Sequence, residues 1–200
     1  MKSMATVSAT LAALTIATTA ASAQSSQRWS AEVAPIYVVL LGNTFQGTKS
    51  ALGFEGQLRY TASNLSIGAG VEYTKHGFTD ASLAGFGLRR VGPFIEPRYV
   101  ILIGSSKVAP YISARFSVVS ISLVVPASQQ GTIIPGTSTG TTINGGGGVL
   151  LHLAARLNLD LGATVGHTSF GTVKYSDGTT GGSLGSGGDL VVRGGLSFGF

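Results

Sequence analysis

LGFEGQLRYTASNLSIGAGVEYT, residues 52–74, alternates apolar and polar side chains on both sides of a short turn. In its first half, apolar side chains or glycine occupy every second position from Leu52 to Tyr60. Glu55, Gln57 and Arg59 fill the positions between them. The same alternation resumes after the turn. A period of two is that of a β-strand, so the stretch predicts a hairpin with one apolar and one polar face.

The alternation recurs along the chain and predicts eight strands with no helix between them. The predicted strands lie near residues 28–42, 51–61, 65–75, 88–102, 108–122, 141–152, 157–169 and 189–200. Short connections are expected at 62–64, 104–107 and 153–156, and long ones at 43–50, 76–87, 126–140 and 171–188. Short turns on one rim and long loops on the other predict an all-β, eight-stranded antiparallel up-and-down transmembrane barrel.

The composition also indicates contact with lipid. The chain of 200 residues is 44% hydrophobic and only 10% charged, and its mean hydropathy is +0.36. A membrane-spanning helix needs about 20 apolar residues in a row, whereas the longest run outside the N-terminal stretch is IYVVLL, residues 36–41. The 30 glycines further disfavour helices. The chain has no cysteine, so its stability does not depend on disulfides.

The first 23 residues have the features of a cleaved secretory signal peptide. Lys2 precedes an apolar stretch that starts at Leu11, and Ala21 and Ala23 form a small-x-small cleavage site before Gln24. The alternative is an amphipathic or membrane-spanning N-terminal helix. We therefore expect a signal peptide over residues 1–23 and one barrel domain over residues 24–200.

The last predicted strand contains RGGLSFGF, residues 193–200, with Phe198 and Phe200 on its apolar face and Arg193 and Gly195 on the other. Since an unpaired strand edge is costly in lipid, we expect this strand to pair with the first and complete the barrel.

RGGLSFGF resembles the C-terminal signal of bacterial outer-membrane barrels, in which a polar residue, a glycine and two aromatic residues occupy the positions of Arg193, Gly195, Phe198 and Phe200. The whole mature chain resembles the small eight-stranded barrels typified by the OmpA transmembrane domain and OmpX. The resemblance implies a monomer without a cofactor in the bacterial outer membrane. It also implies contact with membrane lipid and lipopolysaccharide, and recognition by the barrel-assembly machinery.

The central hairpin of the barrel is expected to form from two stretches, GPFIEPRYV at residues 92–100 and VAPYISARFS at residues 108–117. The chain departs from the family because Pro35, Pro97 and Pro110 lie within predicted strands. Each proline removes one ladder hydrogen bond, which leaves the strand limits near it open.

The polar faces carry charged side chains that would lie inside the barrel. They are Glu55, Arg59, Glu72, Glu96, Arg98, Arg115, Asp160 and Arg193, four acids and four bases. An eight-stranded barrel has room for side chains but not for a wide channel. Buried charges are tolerated when they are paired. We therefore expect a paired network that plugs the lumen, with an ion pathway gated by the same pairs as the alternative.

Several basic residues lie at or near the rim of the long loops, among them Lys75, Arg89 and Arg90. Arginine and lysine can bind the phosphates of lipopolysaccharide, so these three are the predicted contacts. The alternative is an ordinary set of solvated loop ends. Nucleic acid is not expected as a partner, because the basic residues are dispersed.

One alternative hypothesis is a catalytic site at His167 and Ser169. These two residues have the His-x-Ser spacing of the lipid A deacylase PagL, another small outer-membrane barrel. PagL-type proteins place an asparagine after the serine and a glutamate further on. Here Phe170 follows, and no glutamate occurs after Glu96. We therefore predict no catalytic site.

No metal site is expected either. His76, His152 and His167 are scattered along the chain and lack the spacing of metal ligands.

Three classes of function remain open. The first is a structural or surface-interaction barrel, whose long loop around Ile133 and Ile134 could bind a surface ligand. The second is a narrow pore or small-solute carrier, and the third is a lipid-modifying enzyme. The rival fold is a soluble barrel that buries its apolar face. The low content of charged residues disfavours it.

Overall fold

The computed structural model describes residues 27–200. The predicted signal peptide, with Ala21 and Ala23, lies outside the described residues. Within them the chain forms eight strands joined in sequence order. The strands are β1 (Trp29–Leu41), β2 (Ala51–Ala62), β3 (Leu65–His76), β4 (Gly87–Val100), β5 (Val108–Val124), β6 (Gly136–Ala154), β7 (Leu157–Tyr175) and β8 (Thr180–Gly199).

Each strand pairs antiparallel with the next, and β8 pairs with β1, so the sheet is a closed barrel. The closing register extends from Ser30 opposite Gly199 to Leu41 opposite Gly188. Beyond it, the Phe200 backbone N–H donates to the Trp29 carbonyl oxygen at 2.9 Å. Closure gives the edge strands partners, as a lipid environment requires. The predicted eight-stranded up-and-down antiparallel barrel is therefore confirmed.

The strands β6, β7 and β8 are longer than predicted. They contain 19, 19 and 20 residues, whereas β1 to β4 contain 12 to 14. The long loops expected at 126–140 and 171–188 shrink to residues 125–135 and 176–179. Most of the second stretch instead forms the end of β7 and the start of β8, which pair with each other. Asp177-Gly178 makes a favourable hairpin turn between them, and Gly178 adopts a positive φ of 87°.

The prolines do not interrupt the strands. Pro35 lies in β1, Pro97 in β4 and Pro110 in β5, each with ladder partners on the adjacent strand. Pro35 and Pro97 point outward. The turn between β4 and β5 spans residues 101–107 and is longer than the predicted 104–107.

The barrel wall is apolar outside and polar inside, which rejects the soluble rival. Large apolar side chains are exposed over the whole wall, including Val33, Leu52, Phe54, Leu58, Ile67, Val71, Ile95, Ile112, Phe116, Ile143, Val165 and Leu196. So wide an apolar surface is incompatible with water but suits lipid. Trp29, Tyr99, Phe198 and Phe200 are exposed at the end of the short turns, where barrels carry an aromatic girdle. No helix in residues 27–200 has the length and apolar character needed to cross a membrane.

Candidate functional site in the barrel interior

The structure places all eight charged residues of the predicted network inside the barrel. Each is at most 5% exposed, because each occupies an inward position of the two-residue period. Glu55 and Arg59 lie on β2, Glu72 on β3, Glu96 and Arg98 on β4, Arg115 on β5, Asp160 on β7 and Arg193 on β8.

Glu96 is the centre of the network. Its carboxylate contacts four guanidinium groups: Arg98 at 2.5 Å, Arg115 at 2.6 Å, Arg193 at 2.7 Å and Arg59 at 3.4 Å. These arginines come from β4, β5, β8 and β2. One carboxylate therefore connects strands from opposite sides of the lumen.

Asp160 forms a second centre nearer the short-turn end. One of its oxygens lies 2.6 Å from Nη1 of Arg98, and the other accepts a hydrogen bond of 2.6 Å from the Tyr111 hydroxyl. Arg193 donates in turn to the Tyr111 oxygen at 3.3 Å. The Arg98 guanidinium also lies 4.5 Å from the centre of the Tyr111 ring. Tyr111 therefore connects the two centres by hydrogen bonds and by a cation–π contact.

Glycine makes the space that Tyr111 occupies. A Cβ atom on Gly148 or on Gly162 would lie 2.5 Å from the Tyr111 hydroxyl oxygen. Real Cβ atoms essentially never come so close, so a larger residue at either position would have to displace Tyr111 from its place.

Arg115 occupies the middle of the lumen. Its Nη1 lies 2.7 Å from Glu55 and 3.3 Å from Glu72, and its guanidinium lies 3.9 Å from the centre of the Phe94 ring. Such paired, hydrogen-bonded charges are the form in which ions are tolerated in a low-dielectric interior.

The network is larger than the sequence indicated, because Glu32, Arg90 and Asp189 also belong to it. Arg90 lies 2.7 Å from both Glu72 and Asp189, and Glu32 lies 3.8 Å from Arg98. The amide of Asn144 donates a hydrogen bond to Asp189. Among residues 27–200, six carboxylates and five guanidinium groups are buried in this way.

An apolar layer fills the lumen on the long-loop side of Glu96, beside the Arg90–Asp189 pair, since Ile121 is the register partner of Arg90 and Leu40 that of Asp189. It consists of Ile36, Val38, Leu40, Phe45, Val119, Ile121, Phe170 and Val191. Phe45 comes from the 3₁₀ turn Asn43–Phe45 of the first long loop, and its ring meets that of Phe170 at 5.8 Å, edge to face. The apolar layer was not predicted from the sequence, because only polar residues were expected to face inward.

The other end of the lumen has little free space. A hollow of about 30 Å³ is lined there by Ser30, Glu32, Arg59, Ser66, Arg98 and Asn158, among others. This is room for about one water molecule. The lumen is therefore blocked at both ends and filled with paired side chains between them.

In comparisons with known proteins, no family model matches the sequence, and no curated protein matches it. Solved structures do resemble it. Neisserial surface protein A is 20% identical, with 86% of this chain and 96% of that one covered and a TM-score of 0.51. The outer membrane protein OprG from Pseudomonas aeruginosa is 11% identical, with 86% and 95% covered and a TM-score of 0.51. A major outer membrane protein from Thermus thermophilus is 17% identical, with 88% and 100% covered and a TM-score of 0.50.

The fold is that of the small outer-membrane β-barrels. At these identities the likeness concerns the fold alone, and the lipid-facing wall described above supplies the second observation. Together they show a membrane-spanning β-barrel with that fold. In barrels of this fold the short turns form the periplasmic rim, and the long loops form the extracellular rim.

The predicted lipopolysaccharide contacts separate at the extracellular rim. Lys75 and Arg89 point outward and are exposed, and they are direct partners across β3 and β4. Arg90 is only 2% exposed and points into the lumen, so its prediction as a lipopolysaccharide contact is wrong. The side-chain alternation could have shown this. Arg90 lies an even number of residues before Glu96 on β4, so both side chains point to the same, inward face.

The C-terminal stretch divides between the two faces of β8. Arg193 and Gly195 point into the barrel, and a Cβ on Gly195 would lie 2.6 Å from that of Ala34. Phe198 and Phe200 are exposed on the outside at the periplasmic rim. Recognition of these residues by the assembly machinery remains a prediction.

The two residues of the catalytic alternative, His167 and Ser169, point outward from β7. The described carboxylates lie elsewhere, either in the lumen or in the extracellular loops at Asp80 and Asp177. Asp177 lies eight residues beyond Ser169, which corresponds to about 26 Å along an extended chain.

Two of the three histidines, His76 and His152, make structural hydrogen bonds. The His76 ring nitrogens contact the Lys49 carbonyl oxygen and the Thr74 hydroxyl, each at 2.9 Å, and His152 contacts Asn158 at 3.0 Å. Within residues 27–200 the structure shows no group of three or more metal-ligating side chains that could hold an ion.

Proposed function

We propose that the protein is a non-conducting outer-membrane barrel that holds a rigid set of extracellular strands for surface interactions. The closed lumen carries this proposal. Its middle is occupied by the ion pairs around Glu96, and the apolar layer with Phe45 and Phe170 covers its extracellular side. We also propose that the barrel acts as a monomer.

The ion pairs argue against the alternative of a narrow pore. An ion crossing the lumen would have to displace Arg115, which is paired with Glu55 at 2.7 Å and with Glu96 at 2.6 Å. Separating such buried partners leaves uncompensated charges and costs about 3 kcal/mol or more. The ion would also have to pass the Arg90–Asp189 pair and the apolar layer that packs beside it.

Conductance of the purified protein in a planar lipid bilayer tests this proposal. We expect no discrete current steps, while a porin in the same bilayer serves as the positive control. An Arg115→Gln variant should be recorded beside the wild type. Discrete steps of the wild-type protein would contradict the proposal, and a different step size in Arg115→Gln would show that the ions pass Arg115.

The extracellular extension supports the surface role. The strands β6 to β8 exceed β1 to β4 by five residues or more, which corresponds to about 16 Å or more of extended chain. The loop at residues 125–135 adds Ile134, which is half-exposed. Loops held on a rigid scaffold commonly carry binding residues, so we propose this loop and the extended ends of β6 to β8 as the surface for a partner.

Epitope insertion tests the orientation that this role requires. A tag after Gly178, in the β7–β8 turn, should bind antibody on intact cells. The matched control is the same tag after Ser105 in the periplasmic turn, which should bind only after the outer membrane is permeabilised. The reverse pattern would contradict the proposal.

We infer that His167 and Ser169 take no part in catalysis, since their outward position leaves the histidine without a nearby carboxylate. Lipid A of cells that express Ser169→Ala should therefore carry the same acyl chains as lipid A of cells that express the wild type. Loss of a deacylated species only in the variant would overturn this inference.

A further inference from the structure

We propose that Glu32 is a proton-binding site of the lumen, whose carboxyl group is neutral in the folded barrel at about pH 6, where an exposed glutamate is ionised. This proposal concerns the chemistry of the ion network and does not depend on whether the barrel conducts.

The buried charges of the lumen do not balance. Six carboxyl groups are buried with five guanidinium groups, and every lysine of the described residues is exposed. If all these groups were ionised, the interior would carry one negative charge without a counter-charge. A buried charge without a partner is costly, and a buried acid commonly takes up a proton instead. The lumen therefore needs one proton or one further cation.

Glu32 is the carboxyl group with the weakest ionic partner. The nearest guanidinium nitrogen to it is Nη1 of Arg98, at 3.8 Å. That nitrogen lies 2.6 Å from Asp160, and Nε of Arg98 lies 2.5 Å from Glu96. Arg98 is therefore engaged by two nearer carboxylates. The carboxyl groups that do have a guanidinium nitrogen at 2.7 Å or less are Glu55, Glu72, Glu96, Asp160 and Asp189.

The direct neighbours of Glu32 supply no positive charge. Its register partners are Gln57 on β2 and Ser197 on β8, both uncharged. Asp160 acts on it from β7 as a second negative charge. Oε1 of Glu32 is buried, and no hydrogen-bond partner within residues 27–200 reaches it. An oxygen without a donor is costly in a carboxylate and less so in a neutral carboxyl group.

Two more arginines act on Glu32 from a greater distance. They are Arg59 on β2 and Arg193 on β8. Both are engaged by Glu96, at 3.4 and 2.7 Å. Within the described part of the chain, the ion pairs of Glu32 are limited to the long contact with Arg98. The excess proton therefore belongs to Glu32 and not to a carboxylate of the central pairs.

A charged histidine does not supply the sixth cation. The buried histidine is His76, the last residue of β3 at the long-loop end, whereas Glu32 lies near the start of β1 at the short-turn end. The neutral ring of His76 satisfies both of its contacts, by donating to the Lys49 carbonyl oxygen and accepting from the Thr74 hydroxyl.

The hollow of about 30 Å³ at the short-turn end connects Glu32 with a source of protons. Glu32, Arg59 and Arg98 all line it. It has room for about one water molecule, which can bring a proton from that rim to the carboxylate. The two guanidinium groups in its wall repel a metal cation, so a proton is the favoured neutralising charge.

A proton on Glu32 makes the stability of the barrel depend on pH. An exposed glutamate loses its proton at about pH 4.3, so above that pH the unfolded chain releases the proton that the folded barrel holds. Stability therefore falls as the pH rises. One proton changes the unfolding equilibrium constant by about tenfold per pH unit.

Urea unfolding of the barrel in lipid vesicles at pH 5 and pH 6 tests this linkage. From pH 5 to pH 6, the unfolding equilibrium constant of the wild type should rise about tenfold relative to that of Glu32→Gln, which has no proton to release at this position. The same pH dependence in both proteins would overturn the proposal.

Glu32→Gln and Glu55→Gln are matched changes on adjacent strands. At pH 6, Glu32→Gln should unfold with an equilibrium constant within about threefold of the wild type, because glutamine has the shape of a neutral carboxyl group. Glu55→Gln removes the partner of Arg115 at 2.7 Å and should raise the constant by about a hundredfold or more. Failure of Glu55→Gln to fold, seen as loss of the heat-dependent gel shift, counts as such a loss. Equal destabilisation by both changes would overturn the proposal.

Infrared spectroscopy of the folded protein at pH 6 observes the proton itself. The carbonyl band of a neutral carboxylic acid should be present in the wild type and missing from Glu32→Gln. A wild type without this band, or a variant that keeps it, would overturn the proposal. So would a stability that depends on sodium at constant ionic strength in the wild type alone, because a metal cation would then take the place of the proton.

Discussion

Arg193 and Glu96 face each other across the lumen and form a two-pronged ion pair. The two Nη atoms of Arg193 donate to the two oxygens of Glu96 at 2.7 and 2.8 Å. Arg193 lies on β8 and Glu96 on β4, which are opposite strands of the eight-membered ring. The closing strand is therefore held to the far wall of the barrel as well as to β1.

Replacing Glu96 with glutamine should destabilise the barrel by about 3 kcal/mol. The change keeps the shape of the side chain but removes the charge that four arginines share, and it leaves those arginines buried without their common partner. Urea unfolding in lipid vesicles measures the loss. Asp80→Asn, in an exposed loop, is the control and should change stability by less than about 0.5 kcal/mol. Equal stability of Glu96→Gln and the wild type would show that the network contributes nothing.

Removing the Tyr111 hydroxyl should cost about 1 to 2 kcal/mol, because Tyr111→Phe takes a hydrogen bond from the buried Asp160 carboxylate. The same change at Tyr99, whose side chain faces lipid, should have little effect. The temperature at which the compact band disappears on a gel compares the three proteins. A larger shift for Tyr99→Phe would contradict the role assigned to Tyr111.

Gly162→Ala should destabilise the barrel by about 1 to 3 kcal/mol, because the new methyl group would lie 2.5 Å from the Tyr111 oxygen and 2.9 Å from Nε of Arg193. Gly145→Ala is the matched control on β6, since a Cβ at that position has no atom within 4 Å. Both variants can be unfolded by urea in the same vesicles. If they unfold together with the wild type, the space around Tyr111 is less confined than the distances indicate.

Phe45→Ala should weaken the barrel by about 3 kcal/mol, because it opens a void in the apolar layer against Phe170. It should nevertheless leave the protein non-conducting, since the ion pairs below remain in place. Leu83→Ala, in another extracellular loop, controls for removal of an exposed apolar side chain. Current steps in Phe45→Ala alone would show that the apolar layer, and not the charges, closes the lumen.

The alternation of side chains was sufficient to predict the barrel and most of its interior. Side chains alternate between the two faces of a strand. Once one position such as Glu55 is known to point inward, the direction of every other side chain on that strand follows. The eight predicted network residues therefore face inward. The same rule applied to Arg89 and Arg90 would have separated them, but their position next to a predicted loop suggested that both belonged to the rim.

Other features could not be predicted because the alternation is lost in them. In IYVVLL both faces of β1 are apolar, so the inward Ile36, Val38 and Leu40 could not be told from lipid-facing residues. The stretches over 136–140 and 171–188 consist largely of glycine, serine and threonine, which have no strong strand pattern. They pair because β5 and the Asp177-Gly178 turn bring them together.

The most direct test of the account is gel mobility of the outer-membrane fraction, with and without boiling, for the wild type and for a variant that lacks Phe200. We predict a compact unboiled band of the wild type in the outer-membrane fraction, and its depletion in the variant, because Phe200 lies in the aromatic girdle and its N–H pairs with Trp29. The membrane-spanning barrel would be contradicted if the protein were soluble in the periplasm, showed no heat-dependent shift and were unaffected by the deletion.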